Sequence, residues 1–362
     1  MLFPYIRTRH DMRYMHAFVT YIFTKVWCKA PTIEYSLDLF KGMPKLHAIM
    51  DGLAREDLAQ EAKKKKGNGA GAFFYLNINI IFNEFKRLTP AEIKTLRKYF
   101  LANNNIEALC EGRVLPILYS QFSQSNLDQQ IQVFFSKLYS GGFFNLKIVK
   151  DNIGVNLREH YQDFAKINDI PCCPFCGLQP MDTEYDPTRE AYDHYLPASK
   201  YPFNSVNLKN LAPACYKCNS QNKGAKDPLI DDEGNARRAF YPYSHKSYNI
   251  DVSLTFLCDN RTPTTSDEIQ VNLTCAGYEQ ELDTWNALYR VKERLKARCC
   301  STAASKAWMN RINIECQNYN RDPKEALEAE LATCHESLWT EAAFLKSAYL
   351  KEAERKNLLP KA

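Results

Sequence analysis

Two Cys-x-x-Cys pairs stand 42 residues apart in a chain of 362: Cys173-Pro-Phe-Cys176 and Cys215-Tyr-Lys-Cys218. Four thiolates at this spacing can surround one tetrahedral ion, and soft sulfur donors select zinc. Cys172 adjoins Cys173 and is an alternative ligand, though the spacing to Cys176 favours Cys173. Between the pairs lies Asp193-His194, which suits a different chemistry. A carboxylate is a hard oxygen ligand for a magnesium-like ion, and an imidazole is a general base near neutral pH. The alternative for His194 is a core histidine with no part in chemistry.

The order Cys-x-x-Cys, Asp-His-x-x-Pro, Asn-Leu, Cys-x-x-Cys-Asn and Lys resembles the HNH endonuclease family, the zinc-bearing branch of the ββα-metal nucleases. The resemblance covers about 55 residues, from Cys173 to roughly Lys226. It implies that Cys173, Cys176, Cys215 and Cys218 hold a structural zinc, that Asp193 ligates a catalytic metal, and that His194 deprotonates the attacking water. Asn210 would brace the loop carrying His194, and Asn219 would be the second protein ligand of the catalytic metal. Asn stands at 219 where many members have His; an amide oxygen is the harder donor, which tilts that metal toward magnesium or manganese. Lys223, one helical turn past Asn219, would face the scissile phosphate, or else be a solvated lysine. Asn210 could instead cap a turn. Asn219 could be a helix N-cap, with Asn222 the substitute ligand.

The resemblance further implies DNA as substrate, cleavage leaving a 5′ phosphate, and a likeness to nuclease effectors of bacterial anti-phage defence. It leaves room for a partner ATPase or a homo-oligomer. Two competing functions stay open: an RNA-directed nuclease or toxin, and a zinc-scaffolded nucleic-acid-binding module that does not cut.

The elements that must position these residues follow from periodicity. Hydrophobic residues at 45% and charged ones at 25% are ordinary globular values. Thirteen cysteines, an odd number at irregular spacing, argue with the lack of an export signal for reduced thiols in a cytoplasmic protein. No window of 18 apolar residues exists, so no membrane span is expected. Net charge is +5, which permits a nucleic-acid partner. Residues 1–110 carry 17 Lys+Arg against 10 Asp+Glu, whereas residues 171–228 carry 6 against 6. Any electrostatic attraction for phosphates must therefore come largely from the N-terminal region.

Met15, Phe18, Val19, Ile22, Phe23 and Val26 recur at helical spacing and predict an amphipathic core helix over 12–27. Further helices are expected over 35–62, 73–85, from the Thr89-Pro90-Ala91-Glu92 capping box, over 125–138 and over 155–167. Lys63 to Gly69 reads as an exposed loop, either merely solvated or gripping phosphate. Tyr192 to Pro197 should end a short strand, Asn204–Ala212 should contain its partner, and a helix should follow from Cys218. Arg237-Arg238 and Phe240 to Tyr243 fit either stacking on nucleic acid or an aromatic lid. Alternation at 250–256 and 269–275 predicts a hairpin, Tyr278 onward a helix, and Asp322-Pro323 the start of a last helix running through Leu345. The fold class is α+β: an N-terminal helical region (1–165), a central zinc-stapled ββα-metal core (166–245), then a hairpin and C-terminal helices (246–362).

Overall fold

The computed structural model describes residues 1–62, 69–122 and 126–360, without the side chains of 57–62. The lysine run at 63–66 lies outside the described residues. Thirteen α-helices are described: α1 (Tyr14–Tyr21), α2 (Pro44–Ala62), α3 (Ala70–Phe85), α4 (Pro90–Asn103), α5 (Ile106–Cys110), α6 (Asn126–Ser140), α7 (Lys147–Ile153) and α8 (Leu157–Asn168) precede the cysteine pairs' hairpin. After it come α9 (Glu279–Tyr289), α10 (Val291–Cys300), α11 (Thr302–Tyr319), α12 (Pro323–Glu336) and α13 (Ala343–Arg355). Two antiparallel hairpins complete the α+β architecture: β1 (Ala191–His194) with β2 (Leu211–Ala214), and β3 (Asp251–Phe256) with β4 (Ile269–Thr274). No helix of the described residues is long and apolar enough to cross a membrane.

The N-terminal helices form as their sequence periodicity requires. Met15, Phe18, Val19, Ile22, Phe23 and Val26 are all buried, on α1 and the wider helical turn that continues it to Val26. α4 opens on the expected reciprocal cap, with the Thr89 hydroxyl accepting from the Glu92 amide while the Glu92 carboxylate accepts from the Thr89 amide. Aromatic rings dominate the packing. Phe23 stacks on Phe100 at 4.3 Å, and the Trp27 indole N–H donates to the Ile78 carbonyl at 2.9 Å.

Four elements differ from expectation, the first being the helix expected over 35–62, which is a short turn at Leu37–Phe40 followed by α2 from Pro44. β2 begins at Leu211, because 204–210 is instead a chain of turns: the amide of Asn207 donates to the Asn204 carbonyl, and that of Asn210 to the Asn207 carbonyl. The helix begun at Asp322 stops at Glu336; Glu341 and Ala342 then take positive φ, and Leu345 belongs to a separate α13. Similarly, Arg290 in the left-handed region divides α9 from α10.

The helical flanks pack directly on the central hairpin. The Tyr5 hydroxyl donates to the Pro213 carbonyl at 2.7 Å. On the opposite strand, the Tyr192 hydroxyl is hydrogen-bonded to Nδ1 of buried His160 on α8. Burial, reinforced by the charge of neighbouring His10, lowers the His160 imidazole from its ordinary value to about 4. A depressed folded-state value means that the unfolded chain binds the proton more readily. The resulting stability is complete above pH 6.5 and lost as pH falls toward 4, by on the order of 3 kcal/mol. Denaturant midpoints measured between pH 4 and 7 should therefore fall more steeply for the parent than for His160→Gln.

Candidate functional site

The four cysteines come together. Cys173, Cys176, Cys215 and Cys218 are buried, with their sulfurs within 4.8 Å of one another, so that they could hold a metal ion such as zinc. Each pair forms a tight knuckle: the Cys176 amide donates to the Cys173 carbonyl at 3.1 Å, and the Cys218 amide to the Cys215 carbonyl at 2.9 Å. Gly177 completes the first knuckle at φ +67°, where a Cβ would meet Leu2 Cδ1 and Phe344 Cε1 at 2.5 Å. Cys172 is buried but lies outside the cluster. An unanticipated cation borders the sulfurs, since Arg294 Nη1 reaches Cys218 Sγ at 3.1 Å. This charge suits thiolates better than thiols.

Cys215 follows β2 directly, and Cys218 lies in the helical turn Lys217–Lys223. That turn is wide: the Gly224 amide donates to the Asn219 carbonyl, five residues back, at 2.8 Å. A strand, a second strand and a helical turn thus follow in the expected ββα order. At the end of the turn Lys223 departs from expectation. It neither faces outward nor is solvated. Its ammonium is buried, donating to Asp193 Oδ1 and to the His194 carbonyl at 2.9 Å each. Desolvation raises the Asp193 carboxyl above its ordinary value, partly offset by this ammonium. The second carboxylate oxygen, Oδ2, is buried without a hydrogen-bond partner. Removing Lys223 leaves this carboxylate uncompensated, so Lys223→Met should cost about 3–5 kcal/mol in denaturant unfolding. Adding Asp193→Asn should restore much of that loss.

His194, the last residue of β1, is half-buried. Its ring Nε2 lies 2.7 Å from the Ser205 carbonyl. A carbonyl can only accept, so Nε2 carries the proton and the neutral ring keeps its lone pair on Nδ1. Burial lowers this imidazole to about 4, the Ser205 contact opposing and the Lys223 charge assisting. The Tyr139 ring of α6 meets the imidazole edge-on at 4.6 Å. Ser205 is itself fixed, its hydroxyl donating to the Phe135 carbonyl of α6 at 2.7 Å.

Asn210 takes the bracing position: Oδ1 accepts from the Leu196 amide at 2.8 Å and Nδ2 donates to the Leu196 carbonyl at 3.0 Å. The loop 195–210 is also anchored by Phe203. This ring is fully buried at φ +77° among Phe23, Phe100, Phe122 and Phe135 of the helical region. A bulky residue in that backbone region is rare and requires firm support from its surroundings. Phe203, Ser205 and Tyr139 escaped sequence reasoning, because a long-range ring contact and a contact made through a backbone carbonyl leave no local pattern in the sequence.

The Asp193 and His194 side chains have separate partners, the Lys223 ammonium for the carboxylate and the Ser205 carbonyl for the imidazole. Asn219 is half-buried, and no hydrogen bond joins its carboxamide to either among the described residues. Asn222 instead donates to the Lys217 carbonyl at 2.5 Å. Nor do the aromatics after Arg237-Arg238 offer stacking faces, because Phe240, Tyr241 and Tyr243 are buried as a lid. The Tyr195 hydroxyl donates to the Phe240 carbonyl at 2.6 Å, and that of Tyr243 to the Leu211 carbonyl.

No family model matches the chain. It is similar to Protein ea31 of Escherichia phage lambda, at 30% identity over 135 residues, which is 37% of this chain and 41% of that protein. The chain thus spans about two fifths of the length of this relative. No solved structure matches.

Proposed function

We propose that the chain is an HNH-type endonuclease that hydrolyses phosphodiester bonds in DNA, with His194 as general base and a structural zinc on Cys173, Cys176, Cys215 and Cys218. The observation that carries this reading is the Nε2–H of His194 tied to the Ser205 carbonyl in a ring that burial keeps neutral. That contact fixes the tautomer and leaves Nδ1 as a proton acceptor.

A carboxylate oxygen and a carboxamide oxygen are the donor types that a hard divalent cation takes. Asp193 Oδ2 is a buried carboxylate oxygen with nothing to satisfy it, and the Asn219 carboxamide has no competing hydrogen bond among the described residues. These two residues would hold magnesium or manganese. Such an ion, when bound, stabilises developing negative charge on phosphate oxygens and on the leaving oxygen.

The rest is work for the chain's own groups. His194 Nδ1 accepts one proton from a water as the water oxygen bonds to phosphorus. The bond from phosphorus to the 3′ oxygen breaks; the phosphate stays on the 5′ end, and the 3′ oxygen takes up a proton from solvent. Asn210 keeps the chain after His194 in place, and Ser205 stops the ring from rotating. One such centre cuts one strand at a time. A role in anti-phage defence, with a partner ATPase or a second copy, accords with this activity.

One observation favours a second reading, a zinc-scaffolded binding module that does not cut: the Lys223 ammonium already neutralises Asp193. Plasmid nicking by zinc-loaded protein on addition of magnesium or manganese separates the two. Matched DNA and RNA strands in the same assay decide the substrate. Nicked circles dependent on the added cation are expected. Intact plasmid under every condition, with binding retained, would sink the nuclease.

A further inference from the structure

Away from Asp193, on the side of β1 where Tyr192 meets His160, lies a cavity of about 430 Å³. It is lined by Arg7, Arg9, Arg13 and Lys209, all exposed at its rim, and deeper by Thr8 and His16. Among the described residues Arg7, Arg9 and Lys209 form no ion pair; the acids at hand are Asp11, 3.6 Å from Arg13, and Asp163, 3.9 Å from His10. Four cations therefore converge with two carboxylates only at the margin. Two buried polar atoms here are also unpartnered, Thr8 Oγ1 and His16 Nδ1. Buried hydroxyl and imidazole atoms usually find a partner, from water, an ion or a ligand.

Guanidinium groups recognise phosphate oxygens through two parallel hydrogen bonds, and lysine adds a point charge. The volume suits a group of nucleotide size. The same wall serves the candidate catalytic site, because Asn207, Leu208 and Lys209 belong to the loop whose Ser205 holds His194. The cavity further gives a place to part of the positive surplus of the N-terminal region, +7 over residues 1–110 (17 minus 10).

We infer that this cavity seats a nucleotide phosphate, supplied either by the strand lying across the hairpin or by a free nucleotide. The strand source rests on the nuclease reading; the free-nucleotide source does not.

The test uses the full zinc-loaded chain without added magnesium. Binding of a labelled 20-base-pair DNA duplex is followed by fluorescence anisotropy across a salt series, and binding of AMP and of inorganic phosphate by calorimetry. The pocket variant Arg7→Ala/Arg9→Ala/Lys209→Ala is compared with a charge-matched control outside the cavity, Lys94→Ala/Lys306→Ala/Lys324→Ala. All six side chains are exposed, so both variants should fold. If a strand is the source, the pocket variant weakens duplex binding at least tenfold, and its salt slope drops by about 2.7, roughly 0.9 per lost phosphate contact. If a free nucleotide is the source, the pocket variant loses AMP while duplex binding is unchanged. Equal losses in both variants, or a parent chain that binds none of the three probes, would overturn the inference. Binding with this pattern by a chain that nicks no plasmid would remove the nuclease and leave the cavity's role standing.

Discussion

His194→Ala is expected to slow magnesium-dependent plasmid nicking by about 10²–10⁴-fold while leaving zinc content and unfolding midpoint close to those of the parent. The imidazole is half-buried at the end of β1, and its single hydrogen bond is to a carbonyl of a loop that Asn210 and Phe203 hold independently. Its removal therefore takes away a proton acceptor without loosening the frame. His194→Gln separates the two duties further, since an amide can donate to the Ser205 carbonyl but cannot take the proton. Nicking that survives either change would move the base elsewhere. Loss of zinc in His194→Ala would show that the imidazole and the sulfur cluster are not separate in function.

The second large effect concerns the cysteines. Cys215→Ser should abolish stoichiometric zinc binding and destabilise the chain by at least about 3 kcal/mol, read by metal analysis and by thermal unfolding of the same sample. Cys215 connects β2 to the wide turn, and that turn carries Lys223 to Asp193. A hairpin of two four-residue strands has little stability of its own. Full stability in the variant would show that packing of the flanks alone holds the hairpin, and that the sulfurs bind no structurally important ion.

What could be read in advance depended on how locally each feature is encoded. The cysteine knuckles, the Thr89 cap and the alternation of β3 and β4 are set by neighbours in sequence, and each formed where its pattern lay. The bracing contact of Asn210 with Leu196 also accords with the position that the resemblance implied. Other features depend on distant partners. Lys223 turned inward because a buried carboxylate was within reach, which spacing from Asn219 along a helix does not encode. The start of β2 was displaced because turns through Asn204, Asn207 and Asn210 satisfy the backbone before the strand begins. Asparagine favours such turns over strands, and that bias went unused. The basic cavity was hidden differently: Arg7, Arg9 and Arg13 lie close in sequence, but only the fold brings Lys209 to them.

The guanidinium beside Cys218 has a consequence for how the molecule is made. Arg294 lies 76 residues beyond that cysteine, and the Trp285 indole donates to the carbonyl of Phe175, 110 residues before it in the chain. On a ribosome, all four sulfurs emerge well before either of these neighbours is synthesised. The nascent segment could therefore take up a metal ion such as zinc while still open to solvent, before the later helices close over the four sulfurs. The order of translation itself would place metal delivery ahead of final burial.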